Sequence, residues 1–239
     1  MSYERDPDLM NDLQDYIEGD SRTADAAARR IDARGGEESR NGVTVVMPCI
    51  PPRSGAERPG TMPRAMHSVL TQTRPVDAIS MAFDHRHEGA ATTRNRALSG
   101  VKTEWMAFLD DDDTLNPDHI EKLMHHAEAT GADLVYPWFD VVNGFDPFPQ
   151  YAGKPFDPEA LRNVQNYIPV TVLVRTGLVR GVGGFEPRNT SAAPGASPCE
   201  EWGLWLKLLA VGAKFSHLPE RTWCWHWHPG NTSGRGDQW

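Results

Sequence analysis

The chain has 239 residues, 39% hydrophobic and 24% charged, with eight Trp, eight Phe and five Tyr. That is apolar surface for one sizeable core, which excludes a wholly disordered chain and two full domains. A net charge of −9 and a pI near 5.4 argue against a nucleic-acid partner, which usually meets a basic stripe, and no apolar run is long enough for a membrane span.

Residues 1–42 are polar and charged, with Ala26–Ala28 followed by Arg29, Arg30 and Arg34. They predict a solvated, partly helical N-terminal extension. The opening Met1–Asp6 is acidic and has no apolar leader, and Cys49, Cys199 and Cys224 have no paired spacing. Both features lead us to expect a cytoplasmic chain. The Asn-Thr-Ser triplets at Asn189 and Asn231 then read as ordinary loop residues.

From Val43 to Trp239 the texture is that of one folded domain. Val43–Met47 is a β-branched run stopped by Pro48, which predicts a buried strand. Pro63–Thr73 predicts a helix, with Met66, Val69 and Leu70 at helical spacing. Ala78–Phe83 predicts a second strand ending at Asp84, and Ala90–Leu98 a second helix ended by Gly100. Trp105–Leu109 predicts a third strand that runs into Asp110–Asp113. Asn116 is expected to cap the next helix, with Pro117 in its first turn and Gly131 at its end. Asp133–Tyr136 predicts a fourth strand.

Strands alternating with helices predict a mostly parallel central sheet with helices on both faces. Ligands of such sheets sit beyond the carboxyl ends of the strands, where Asp84 and Asp110–Asp113 fall. In the second half, Gly144–Pro158 predicts a long connection, Val170–Val174 a strand and Phe185–Pro198 a mobile loop. Cys199–Val211 predicts a helix and Arg221–His228 the last strand.

The acidic run is the strongest chemical signal. Carboxylates this close repel, and a hard divalent cation with oxygen ligands offsets that. On extended chain Asp110 and Asp112 point one way, and Asp111 the other, toward a ligand hydroxyl. A calcium-hand reading fails, because Leu115 stands where that loop needs Gly and Pro117 intrudes. In Trp223–His228 a period of two puts the tryptophans on one face and Cys224, His226 and His228 on the other. A zinc site there lacks a second ligand pair, and His228, beside a Pro-Gly turn, is the better candidate. Ser197 and Glu200 have capping-box spacing. Glu201, in the first helical turn at the border of an apolar face that includes Trp202 and Trp205, is a candidate general base.

In this order and spacing the motifs resemble glycosyltransferase family 2. The matching segments are Val43–Pro48, Arg64–Thr73, Asp84, Arg94–Ala97, Phe108–Asp113, Gly183–Phe185, Glu200–Leu206 and His228–Ser233. The resemblance implies a GT-A (Rossmann-like) α/β fold over residues 43–239. It also implies transfer of a hexose from a nucleoside-diphosphate sugar, a UDP-sugar above all, to an acceptor hydroxyl. Asp110, Asp112 and His228 would hold Mn²⁺ or Mg²⁺. Pro48, Arg53, Asp84, Arg94, Asp110, Asp111 and Trp202 would line the donor site. Glu201 stands where the family usually has an aspartate base, which implies inversion, and Gly181–Pro198 would close over the donor.

The chain departs from the family at Cys49–Pro52, where a polar turn with Asn is usual, and at His85–Glu88, which lacks the usual Gly-Ser-Thr. The acceptor is expected to be a soluble glycan or protein. A retaining transferase on the same fold and a non-catalytic sugar-nucleotide or carbohydrate binder are the alternatives. A nucleotidyltransferase would want a better phosphate loop than Pro51–Gly55 offers.

Overall fold

The computed structural model describes residues 39–49, 61–186, 200–228 and 231. The expected N-terminal extension up to residue 38, Arg53, the Asn189 triplet, Ser197, Cys199 and most of the expected loop over 185–198 lie outside the described residues.

In chain order the elements are β1 (Ser39–Cys49), α1 (Thr61–Leu70), β2 (Ala78–Phe83), α2 (Ala90–Leu98), β3 (Thr103–Phe108) and β4 (Thr114–Leu115). There follow α3 (His119–Thr130), β5 (Leu134–Val142), α4 (Pro158–Asn163), β6 (Leu173–Arg175), α5 (Thr176–Gly181), α6 (Glu200–Ala210) and β7 (Phe215–His226). One seven-stranded sheet has the order β2-β1-β3-β6-β5-β7-β4. β2, β1, β3, β5 and β7 share one direction, and β6 and β4 run against them. The mostly parallel α/β sheet read from the sequence is therefore the one formed.

The central strands β1 and β3 carry apolar residues at successive positions, so the sheet is buried on both faces there. On β3, Met106 and Phe108 enter the core shared with α2, α5 and α6. Trp105 and Ala107, with Leu109 just beyond the strand, enter the core shared with α1 and α3. β1 divides the same way, Val46 to the first core and Val43, Val45 and Met47 to the second.

Several boundaries differ from expectation. α1 ends at Leu70 and not Thr73, because Gln72 turns in to join two helices. Its amide donates to Ser68 O and Asn116 O and accepts from Ile120 N–H. Asn116 does not cap α3. Its backbone N–H donates to Thr222 O at 2.9 Å, which prolongs the β4–β7 ladder, and Asp118 takes the cap position. Gly131, with φ of 66°, ends α3 as expected.

β7 starts six residues before the expected Arg221, at Phe215. Pro219 made that stretch read as broken, yet it sits where the β5–β7 register shifts, opposite Pro137. A residue without an N–H is tolerated at such a bulge. β5 runs on to Val142 because β7 pairs with it along that length.

Candidate active site

Asp110–Asp113 follow β3 as a tight turn, with Asp113 N–H donating to Asp110 O at 3.2 Å. β3 and β4 hold its two ends, since Met106 and Ala107 pair with β6 and Thr114 and Leu115 with β7. The turn brings one carboxylate oxygen each of Asp110, Asp112 and Asp113 within 4.8 Å of one another. The extended-chain reading grouped Asp110 with Asp112 correctly and missed Asp113, whose position needs an i to i+3 turn.

Asp112 and Asp113 are both less than 10% exposed, so they are not the solvated acidic patch that a surface turn would give. Burial and the charges of Asp112 and Asp110 push the Asp113 carboxyl well above the usual carboxylate range. Its Oδ1 accepts the His226 backbone N–H at 2.9 Å. A hard cation fits this donor set, because it relieves the repulsion with oxygen ligands already gathered.

His228 reaches the same turn from the end of β7. Its Nε2 lies 3.0 Å from Asp112 Oδ2. Asn231 holds the chain there, accepting the His228 N–H and donating to His226 O. His226 itself bonds Thr114 Oγ1, and Cys224 Sγ lies 3.7 Å from Asn116 Oδ1, so each of these has a neighbour other than a metal. Arg64 on α1, not singled out for the site by its sequence, donates from Nη2 to Asp112 O at 3.0 Å. Asp111 is buried, and its charge helps burial raise the Cys49 thiol to about 12.

Across the cleft, α6 presents Glu200 and Glu201 in its first turn. Burial first, and then the charge of Glu200, pushes the Glu201 carboxyl up to about 7, while Arg94 opposes the rise. A carboxyl poised there accepts a proton at neutral pH. Glu200 Oε1 takes Arg94 Nη1 at 3.1 Å, a partner its capping-box spacing did not disclose. Trp202 donates its indole N–H to Leu161 O at 2.8 Å, which anchors the first turn of α6 to α4.

α2 supplies Arg94 and Asn95. Asn95 exchanges two hydrogen bonds with the Phe185 backbone, 2.7 and 2.9 Å long. Gly184, with φ of +71°, lies so close that a Cβ there would come 2.5 Å from Asn95 Oδ1. The buried Lys207 of α6 secures the same corner by donating to Gly184 O at 2.6 Å.

Asp84 ends β2 as expected, yet its oxygens accept Glu88 and Gly89 N–H at 2.8 and 2.9 Å, so it shapes the turn before α2. Pro48 is buried in β1 opposite Ala82. Asp110, Asp112, His228, Arg94 and Glu201 are thus linked by contacts and close charges at the carboxyl ends of the strands, while Asp84 and Pro48 lie at the β1–β2 side.

Residues 76–180 match the family model "Glycosyl transferase family 2". Pre-mycofactocin glycosyltransferases of two Mycobacterium tuberculosis strains are 27% identical over 203 residues, covering 76% of this chain and 42% of theirs. The succinoglycan biosynthesis protein ExoO of Rhizobium meliloti is 27% identical over 121 residues, 51% of this chain and 31% of ExoO. The chain thus spans less than half the length of the curated relatives it matches. Among solved structures, S. aureus TarS 1–349 in complex with UDP-GlcNAc has a TM-score of 0.61 at 15% identity, covering 80% of this chain and 60% of that one. The TarS 1–349 complex with UDP gives 0.58, covering 79% and 61%. These structures share the fold. Motif order and sheet topology agree with that match over residues 76–180 to glycosyl transferase family 2, and the chain shares the GT-A fold of these solved structures.

Proposed function

We propose that this domain transfers a hexose from a nucleoside-diphosphate sugar, a UDP-sugar, to an acceptor hydroxyl with inversion at the anomeric carbon. The observation that carries the reading is spatial. The acidic turn after β3 and the base-bearing turn of α6 meet across one buried guanidinium, that of Arg94. Asp110, Asp112, Asp113 and His228 would hold Mn²⁺ or Mg²⁺, which when bound neutralises charge on the departing diphosphate.

Glu201 takes the proton of the acceptor hydroxyl as the new bond forms. Its raised affinity for a proton suits that step at neutral pH. Asp111 lies within the acidic turn, where a donor hydroxyl would meet it. Pro48 and Asp84 belong to the nucleoside end of the site, and Trp202 stiffens the turn that carries Glu201.

A soluble glycan or protein is the acceptor class we favour, in the cytoplasm. The net charge of −9 argues against nucleic acid, and no helix of the described residues is long and apolar enough to cross a membrane.

A panel of nucleotide sugars with Mn²⁺ or Mg²⁺ tests the reading by thermal shift and slow hydrolysis. A donor present at about 100 times its Kd stabilises the fold by about 2.7 kcal/mol. UDP-sugars should raise the melting temperature in the presence of metal and release UDP. The anomeric configuration of the product, read by NMR, should be inverted. No shift with any nucleotide sugar would overturn the reading.

A further inference from the structure

Arg94 touches both halves of the site. Its side chain is 4% exposed. Nη2 donates to Asp110 Oδ1 at 2.7 Å and Nη1 to Glu200 Oε1 at 3.1 Å. These partners are 16 and 106 residues away along the chain and belong to different elements. The Arg94 guanidinium also lies 5.5 Å from the centroid of the Phe185 ring, whose backbone Asn95 holds by two hydrogen bonds. Its remaining nitrogen, Nε, is buried and has no hydrogen-bond acceptor among the described residues. With both terminal nitrogens committed to protein carboxylates, Arg94 acts through those carboxylates.

We infer that Arg94 and Glu200 are positioning residues, a strut that fixes the turn carrying Glu201 relative to Asp110 and so aligns acceptor deprotonation with departure of the diphosphate. The role rests on the transferase reading above. Arginine suits it because its rigid, planar fork holds two carboxylates at once from two directions, which the single ammonium of lysine does not reproduce. Glu200 is the carboxylate that lets α6 take part. It immediately precedes Glu201, so its tether sets the start of the helix and the direction from which Glu201 faces the cleft. Asn95 extends the strut to the Gly184–Phe185 corner, and Lys207 of α6 secures that corner from the other side. A small misplacement of a reacting group is enough to cost a large part of the rate.

The test compares wild type with Arg94→Lys, Glu200→Gln and the double variant. Three quantities are read: kcat and KM with a UDP-sugar, the affinity for UDP with Mn²⁺ by titration calorimetry, and hydrogen exchange of the ligand-free protein over residues 108–113. Each single variant should lower kcat by about 10- to 100-fold. UDP affinity and the donor KM should stay within about three-fold of wild type, since both terminal nitrogens of Arg94 are committed to protein carboxylates. The double variant should be no slower than the worse single one, because the two residues act as a unit. Glu200→Gln should also speed exchange in the acidic turn, although Glu200 makes no hydrogen bond to it.

A UDP affinity that falls in step with kcat would make Arg94 a donor ligand and overturn the inference. Losses that multiply, or exchange over 108–113 that ignores Glu200→Gln, would overturn it too. If wild type uses no nucleotide sugar, the transferase reading fails, and the exchange measurement still decides whether the strut exists. If Arg94→Lys does not fold, Glu200→Gln, a near-isosteric change in a half-buried side chain, carries the test alone.

Discussion

At the amino ends of the strands, Arg175 lies between Glu104 and Asp133, with its guanidinium 4.4 Å from the centroid of the Trp105 ring. At the carboxyl ends, Arg94 lies between Asp110 and Glu200. The two arrangements use the same residue types. In the first, all three side chains are at least a quarter exposed, and two carboxylates share one guanidinium. In the second, the arginine is buried and the carboxylates outnumber it. Asp111, Asp112, Asp113 and Glu201 add their carboxyls close by, and among the described residues Arg64 and His228 are further basic groups at the acidic turn. Two carboxylates sharing a guanidinium at the edge of water form surface ion pairs of small consequence. A cluster gathered out of water and left short of positive charge is a place for a cation and for proton transfer.

The sharpest way to break this contrast is at Glu201. Glu201→Gln should lower turnover by about 10²- to 10⁴-fold while UDP affinity is unchanged. Turnover of the wild type should fall as pH drops below about 7, where the carboxyl takes up its proton. The sign for stability is opposite. A carboxyl whose proton affinity is raised by folding stabilises the fold at low pH, and that contribution is lost as pH rises through about 7. Glu201→Gln should therefore melt higher than wild type at pH 8, and the gap should close in acid. Equal melting curves at pH 8 would mean that Glu201 is not held in a desolvated place.

Next in size is Asp112→Ala, which should lower turnover by about 10²- to 10³-fold, the scale of removing a group that serves developing charge. A chelator should bring wild type down to the variant and leave the variant unmoved. A variant that still gains rate from added manganese would separate Asp112 from the metal. Arg175→Ala sharpens the contrast from the other end. It should cost no more than about 1 kcal/mol in urea denaturation and leave kcat where it was.

The sheet was largely legible because its strands are short apolar runs punctuated by Gly, Pro or Asp, and α2 and β2 fell on their expected residues. The start of β7 was not, since Pro219 reads as a breaker until β5 is seen to offer a bulge opposite it. The expected cap at Asn116 failed for a related reason. A backbone N–H that finds a strand edge, here Thr222 O, has no need of helical geometry. Of the site, Asp110, Asp112, His228 and Glu201 were visible as chemistry in the right order. Asp113 depends on a turn that adjacent aspartates do not announce. Arg64 meets Asp112 across 48 residues of chain and Glu200 meets Arg94 across 106, pairings that no local pattern carries.

The two-residue β4 has a consequence out of proportion to its length. With β3 locked into the sheet on one side and Thr114 and Leu115 paired to β7 on the other, the five residues between, Leu109 and the four aspartates, are a bridge with both abutments fixed. Their carboxylates cannot drift apart to ease their mutual repulsion. The cation proposed above would therefore find its cage assembled, with little further loss of chain freedom on binding, and its departure would leave the cage standing for the next one.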